Sequence, residues 1–517
     1  MGSYEVTLGL GATAIALFLK WRNDQFRSET FDTHPALLRS QTVTAETRQR
    51  GEWAVVRNRA TPFNSKNIPQ FVSNVHESIA KAFDSGSLTA ECGDSIFIGQ
   101  GLVALNVAKS PVGVFVEHSN DSILVDLAGI LYGFATVWID EEEPSQLLSE
   151  VIKQVDMTVA VASPQSLRSL LDAASKHPKL TTIVTTTSAG ISQQDNDRAA
   201  ALKIKIISFE TLKSIGKEKS VDRVKPELSD LYSIVYENDQ NGGIKGTEIT
   251  YLNTSASVSA VYMTFPQNAK ISSEDVYMSI LPVSSIFERC LIHAVLIAGG
   301  SVAFSSEDTL MKDLVAHAPT LMRTTSLILS DFANAIESHP DAKTWAVTQA
   351  KAAKLTELEE GRCWKGTFWD RFLADIQNKM FGGRVRCIWN SCEEAATDAG
   401  ILETIRSVLG TQVIDTFGMT EISGMAFATV YGDYQPGNHV GVPSVNLEYK
   451  LVNAASKEYT VTDEPNPRGE IWFRGPGVSK AYHKDAAKMA RCVTEDGGWF
   501  KSNVYGQIFP NGTLGLI

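Results

Sequence analysis

The chain reads as an α/β protein with two parallel-sheet bodies and a strand-rich end, and three patterns predict it. Short apolar runs alternate with helical segments from Phe71 onward; a second alternation starts near Val276; beyond Pro436 the signals become strand-rich and punctuated by Gly and Pro. Pro69–Phe83 suits an amphipathic helix with its proline in the first turn. Val112–Glu117, Ser122–Gly133 and Ala135–Ile139 read as strand, helix and strand, a βαβ unit. The cycle repeats with Met157–Ala162, Gln165–Ala174, Thr181–Thr186 and Lys203–Ser208. Such alternation predicts a parallel sheet covered on both faces. The second series is Val276–Leu281, Ile286–Ala298, Ser301–Phe304 and Leu310–Ala316. Ser444–Val452 and Gly469–Phe473 read as strands of a small β-barrel-like subdomain.

Composition sets limits on function. At 517 residues with 43% hydrophobic content, the chain can bury a large core divided among subdomains. Its 47 Lys+Arg against 59 Asp+Glu give a net charge of -12, which disfavours nucleic-acid binding. Six cysteines lie without C-x-x-C spacing and read as buried thiols rather than as a metal site. His293 and His317 sit in helical apolar settings and read as structural histidines. No G-x-S-x-G elbow surrounds Ser284, Ser285 or Ser391.

The N-terminal region is distinctive. Val6–Leu19 is uncharged and is followed by Lys20, Trp21 and Arg22. Taken over Met1–Lys20, the run approaches the roughly 20 residues a membrane helix needs, with Tyr4 and Trp21 as interfacial anchors. A signal peptide fits poorly, because no basic segment precedes the apolar run. The expectation is a membrane-anchor helix over residues 1–24, with a buried or interfacial helix as the alternative. Gly9–Ala14 matches G-x-G-x-x-A on its face, but no strand precedes it. Residues 25–67 read as a polar linker or arm, 68–430 as the α/β body and 431–517 as the β-rich subdomain.

Tyr236–Gly246, Y-E-N-D-Q-N-G-G-I-K-G, follows an apolar strand and precedes a helical Tyr251–Met263, the position of a phosphate-cradling loop. Gly242, Gly243, Lys245 and Gly246 supply the backbone access and the cation such a loop needs. Glu237 and Asp239 oppose it. A carboxylate about 4 Å from a phosphate charge costs roughly 1 kcal/mol in water and about 4 near a protein surface.

This loop resembles the Tyr-Thr-Ser-Gly-Thr-Thr-Gly-x-Pro-Lys-Gly signature of the adenylate-forming superfamily, and further motifs follow in the same order. Asp275–Arg289 is similar to the long-chain acyl-CoA synthetases' Asp-Val-x-x-Ser-x-Leu-Pro-Leu-Ala-His-Ile-Phe-Glu-Arg, with Ser285 where that branch has His. Gly382–Arg386 precedes Asn390-Ser-Cys-Glu-Glu394, which stands where the family has Ser-Gly-Ala-Ala-Pro. Phe417-Gly-Met-Thr-Glu421 is similar to Tyr-Gly-Leu-Thr-Glu. Arg468–Pro476 keeps its outline, and Trp499–Gly506 corresponds to Trp-Phe-His-Thr-Gly-Asp-Ile-Gly. The resemblance covers roughly Phe71–Ile517.

The resemblance implies an adenylate-forming large domain in which Phe417 stacks on adenine and Thr420 and Glu421 touch phosphate and Mg²⁺. Val504 stands where the family's ribose-binding Asp belongs and accepts no hydrogen bond. The chain's last residues, Gly512–Ile517, stand where the family reaches its hinge, so a body without the closing lid domain is expected. Gly242, Lys245, Gly246, Phe417, Thr420 and Glu421 are thus expected as a vestigial nucleotide site, with Glu237, Asp239, Ser285 and Val504 as its degenerate positions and no metal held.

Three functions compete. The first is a catalytically inactive synthetase-like protein acting as an accessory subunit of a membrane assembly, with protein partners and no cofactor. The second is an active or partner-dependent long-chain fatty acid–CoA ligase using ATP and Mg²⁺. The third is an acyl or acyl-CoA sensor. The expected location is a membrane, the mitochondrial inner membrane being favoured over the endoplasmic reticulum. The surface around Thr420, Val504 and Ile517 is the expected contact for a partner, while the charged stretch Lys351–Trp364 reads as a surface helix, followed by a packed one over Thr367–Phe381, with a docking surface as the sharper alternative.

Overall fold

The computed structural model describes residues 40–45, 51–59, 74–85, 90–105, 107, 110–139, 145–239, 243–362, 365–393, 395–434, 438–494 and 498–517. The apolar run Val6–Leu19 and the Gly9–Ala14 match lie outside the described residues. Among the described residues, no helix is long and apolar enough to cross a membrane.

The arm contributes two strands, β1 (Thr42–Thr44) and β2 (Val56–Asn58). Both join the C-terminal sheet, so part of the stretch read as a linker belongs to the β-rich subdomain. At three residues each, the strands are too short to show periodicity. The first amphipathic helix spans Val75–Asp84 and is capped by the Asn74 side chain, which accepts from the His76 amide. The part of the expected helix before Asn74, Pro69 included, lies outside the described residues.

The first sheet contains β3 (Val112–Phe115), β4 (Thr136–Trp138), β5 (Val159–Ala162), β6 (Thr182–Thr185), β7 (Lys205–Ser208), β8 (Leu231–Asn238) and β9 (Ile244–Thr250), in the order β7-β6-β5-β3-β4-β8-β9. All neighbours are parallel except the β8–β9 edge. The second sheet contains β10 (Val276–Ser279), β11 (Ser301–Phe304), β12 (Leu321–Thr325), β13 (Cys387–Ser391), β14 (Gln412–Met419), β15 (Gly424–Ala428) and β16 (Val442–Pro443), in the order β11-β10-β12-β13-β14-β15-β16. It is parallel from β11 through β14 and antiparallel beyond. In both sheets an antiparallel edge completes a parallel centre.

Alternation of side chains explains the layers. Along β12 and β13, Leu321, Cys387 and Trp389 face one apolar core, while Met322 and Ile388 face another. The first core lies between the two sheets and is filled by helices Asn120–Tyr132, Tyr251–Met263 and Ile286–Ile297. The outer face of the second sheet is covered by helices Ser326–Ser338, Trp345–Glu359, Asp370–Phe381 and Ala399–Leu409. Helices Ser145–Val155 and Pro164–Ala174 cover the outer face of the first.

The third sheet adds β17 (Glu448–Val452), β18 (Arg468–Arg474), β19 (Phe500–Ile508) and β20 (Leu514–Leu516) to β1 and β2, in the order β1-β2-β17-β18-β19-β20. Its neighbours are antiparallel. The sheet curls until its edges approach: the Gln41 amide donates to the Asn511 carbonyl at 3.1 Å.

At the centre, helix Asn120–Tyr132 meets β8 and helix Ile286–Ile297 through charge. Asp126 accepts from Tyr232 at 2.7 and 2.8 Å, pairs with His293 at 2.8 Å and lies 3.4 Å from Arg289. Asp126, Arg289 and His293 are all 0% exposed. Burial pushes the Asp126 carboxyl up, and its bonds to His293, Arg289 and Tyr232 outweigh this, so it is held below the usual range. His293 is a core histidine, as its apolar setting suggested. The buried thiols of Cys290, Cys387 and Cys392 are pushed up to about 12 by burial.

Candidate nucleotide site

The stretch read as an eleven-residue loop is mostly strand. β8 runs through Asn238 and β9 resumes at Ile244, with Tyr236 opposite Gly246 and Glu237 opposite Lys245. Opposite charges facing each other across an antiparallel pair favour that register. The connection closes with the Asp239 amide donating to the Gly243 carbonyl at 2.8 Å. Gly242 lies outside the described residues. Gly246 has a packing reason to be glycine: a Cβ there would meet the Tyr236 ring at 2.6 Å.

Four of the expected residues converge. Lys245 Nζ lies 2.7 Å from Glu421 Oε1 and 3.2 Å from Glu237 Oε2. The Thr420 hydroxyl donates to the other Glu237 oxygen. Thr420 and Glu421 sit on a 3₁₀ turn, Thr420–Ile422, between β14 and β15, ended by Ser423 at φ 58°. Glu421 is 3% exposed and also accepts from the Tyr482 hydroxyl at 2.8 Å, while its Oε2 has no hydrogen-bond partner. Tyr482 comes from the segment after β18, so the three sheets meet here.

The electrostatics follow from those distances. Burial lowers the Lys245 pKa, but Glu421 and Glu237 outweigh it and hold the ammonium well above its ordinary range. Burial and the Glu421 charge together raise the Tyr482 phenol. Asp239 is paired with Lys488 at 2.8 Å. Counting these groups, two ammoniums (Lys245, Lys488) face three carboxylates (Glu237, Asp239, Glu421), a formal charge of −1. Glu237 therefore holds a hydroxyl and an ammonium, the pair of donors a phosphate oxygen would use.

The other expected residues are placed elsewhere. Phe417 is 6% exposed and packs, with partly buried Val504, in the apolar cluster under the third sheet. Ser285 is the residue before helix Ile286–Ile297 and accepts from Arg323 Nη1 at 3.2 Å. Sequence reasoning missed Tyr482, Lys488 and Arg323. An 810 Å³ cavity lined by Glu248, Thr250, Asn253, Arg474, Val478 and Phe500 includes none of the four converging residues. Among the described residues, no group of three or more His, Cys, Asp or Glu is placed to hold a metal.

The profile of the AMP-binding enzyme family matches residues 95–483, three quarters of the chain and all of the converging site. The chain belongs to that family. It is 26% identical over 430 residues to long-chain-fatty-acid–CoA ligase 1 of Cavia porcellus, covering 81% of this chain and 60% of that one. With long chain acyl-CoA synthetase 6, peroxisomal, of Arabidopsis thaliana it shares 27% over 427 residues, covering 81% and 59%. The chain thus matches about 60% of the length of these relatives.

Among solved structures, a long-chain-fatty-acid–CoA ligase from Archaeoglobus fulgidus superimposes with a TM-score of 0.66 at 16% identity, covering 88% of this chain and 85% of that one. The adenylation domain of a carboxylate reductase from Mycobacterium chelonae gives 0.66 at 18%, covering 82% and 63%. These likenesses establish the adenylate-forming fold for this AMP-binding family member, and the relatives place it beside the long-chain acyl-CoA synthetases.

Proposed function

We propose that this acyl-CoA synthetase-like chain does not itself drive ATP-dependent adenylation and acts as an accessory subunit of a membrane-associated assembly, reaching the membrane through Val6–Leu19. One observation carries the loss of adenylation: Glu237 occupies the Thr420 hydroxyl and the Lys245 ammonium, where the resemblance puts a phosphate; the accessory role rests on the sequence reading of Val6–Leu19. A nucleotide entering this site displaces a carboxylate already bonded there and meets a net negative charge. Titration of the purified full chain with Mg·ATP tests it. No measurable heat at millimolar nucleotide is expected, and micromolar binding would sink the reading.

A second reading, a long-chain fatty acid–CoA ligase using ATP and Mg²⁺, is favoured by the relatives, which carry ligase and synthetase names. It has its own structural support, because Lys245, Thr420 and Glu421 still stand together and the Glu237 side chain is 40% exposed. In this reading Glu237 swings out when nucleotide arrives. The comparisons favour the ligase; the charge around Lys245 weighs against nucleotide binding. Palmitate-dependent exchange of pyrophosphate into ATP decides between them, with exchange expected only from a ligase.

A further inference from the structure

We propose that the 810 Å³ cavity walled by β9 of the first sheet and by β18 and β19 of the third is a binding site for an amphipathic organic anion, separate from the nucleotide site. Its walls follow from the sequence. β9 ends at Thr250, where helix Tyr251–Met263 begins with a capping box closed by Asn253. β18 ends at Arg474, and the next residue, Gly475, sits at φ 151° with the Asn446 carbonyl oxygen 2.3 Å from where a Cβ would lie. Only glycine fits that turn, and the chain then runs as a strip toward helix Ala486–Cys492. The strip is pinned to β9 and to the helix after it. Asn253 Nδ2 donates to the carbonyls of Pro476 at 2.8 Å and Val478 at 3.2 Å, and the Ser479 hydroxyl donates to that of Glu248 at 2.7 Å. The cavity beside it is therefore preformed, and its volume lies within the roughly 300–1,000 Å³ of small-molecule sites.

The lining divides by chemistry. Leu252, Pro476, Val478, Met489, Val493 and Phe500 supply an apolar wall, and Arg474 and Lys480 line the same cavity with donors left over. Arg474 gives its Nε to Glu448, a carboxylate that also holds Arg57 at 2.7 Å, and its two Nη groups have no partner among the described residues. The guanidinium is stacked 4.3 Å from the Trp499 ring centre, which fixes its position. Lys480 is exposed and has no partner among the described residues either. One carboxylate lines the cavity, Glu248, and its Oε1 is taken by His483 Nδ1 at 2.7 Å.

Counting these groups and leaving the His483 ring aside, three cations (Arg57, Arg474, Lys480) meet two carboxylates (Glu448, Glu248), a formal charge of +1. An apolar wall beside two cations with unused donors calls for a ligand with an apolar body and one anionic group. The rest of the chain works against such a ligand. Its net charge of -12 repels anions, so selection for one rests on Arg474 and Lys480. A second cavity of 550 Å³ shares Lys480, Ala481, Met489 and Val493 with the first, which gives the apolar body room to extend.

The test is fluorescence titration of the full chain with two probes that share a body, anilinonaphthalene sulfonate and the uncharged phenylnaphthylamine. Saturable binding of the sulfonate is expected. An Arg474→Gln, Lys480→Ala double variant is expected to weaken it at least about tenfold, the scale of one hydrogen bond to a charged group, and to leave phenylnaphthylamine binding unchanged, with thermal melting to confirm the fold. If that variant does not fold, Lys480→Ala alone, a change at an exposed position, is expected to weaken the sulfonate about threefold or more. Val493→Trp, which fills the cavity, is expected to weaken both probes. The proposal is overturned if the wild type shows no saturable sulfonate binding, or if sulfonate affinity is undiminished in a folded charge variant of either kind. It is also overturned if both probes bind Val493→Trp as tightly as the wild type, or if equimolar inorganic phosphate displaces the sulfonate, which marks a charge site without an apolar one. The Mg·ATP titration reports on the nucleotide site alone, so either proposal can fall while the other stands.

Discussion

Two charged networks, one around Asp126 and one around Lys245, tie this fold together, and they are built on opposite principles. Asp126 has both oxygens satisfied by Tyr232 and His293, with Arg289 beside them, and the charged members are wholly buried. Lys245 stands between two carboxylates, one buried and one 40% exposed, with a Glu421 oxygen left over. The first is closed to solvent and carries its surplus as donors, since Arg289 Nε and Nη2 and His293 Nδ1 are buried without a hydrogen-bond partner among the described residues. A sealed network of this kind suits a structural joint. The second is open and has excess acceptors, which suits a site whose occupant can change. An ion pair is a poor guide to function until its acceptors and donors are counted.

The comparison can be broken at several points. Asp126→Ala leaves Arg289 buried without its partner and is expected to cost about 3–5 kcal/mol in urea denaturation. A loss near zero would contradict the closed joint. Glu421→Gln keeps the shape but removes the buried charge facing Lys245, and about 1–3 kcal/mol is expected by the same measurement. Glu237→Thr removes the exposed carboxylate and is expected to change stability by less than about 0.5 kcal/mol. The same substitution should raise Mg·ATP affinity at least about tenfold in calorimetry, because it lifts a like-charge repulsion. Unchanged affinity would mean that Glu237 is not the obstacle.

A carboxylate outside both networks sets the baseline. Asp195 completes a capping box with Ser192, whose hydroxyl, with Arg168 and the Ser192 amide, holds the carboxyl down to about 2. Because its folded value is depressed, its stabilising contribution is present above the ordinary carboxylate range and is lost as pH falls toward 2. Asp195→Asn should therefore lower stability slightly at neutral pH in urea denaturation, with the difference from the wild type shrinking as pH falls toward 2 and the acid slope flattened accordingly.

Much of the body was legible because periodicity is local. Ser301–Phe304 matches its predicted bounds, and helix Tyr251–Met263 and most strands fall within a few residues of theirs. The conflict of Glu237 with phosphate was also legible, from residue type alone. Its resolution was not. Nothing near Glu237 in sequence tells that Thr420, 183 positions away, donates to it, or that Tyr482 reaches Glu421. Gly246 looked like a phosphate-loop glycine, but the Tyr236 ring across the hairpin gives it a packing role. Arg323 carried no motif; only the alignment of β12 with β13 puts it beside Ser391.

The curled sheet is assembled from residues far apart in the chain. Its β1 and β2 are made early, yet β2 pairs with β17 at Tyr449–Val56 and Glu448–Arg57, and Gln41 bonds Asn511. During synthesis, the early arm must wait through nearly four hundred residues before its neighbours emerge from the ribosome. Until then it offers unpaired strand edges to whatever is nearby. For this subdomain, the hazardous interval is translation itself.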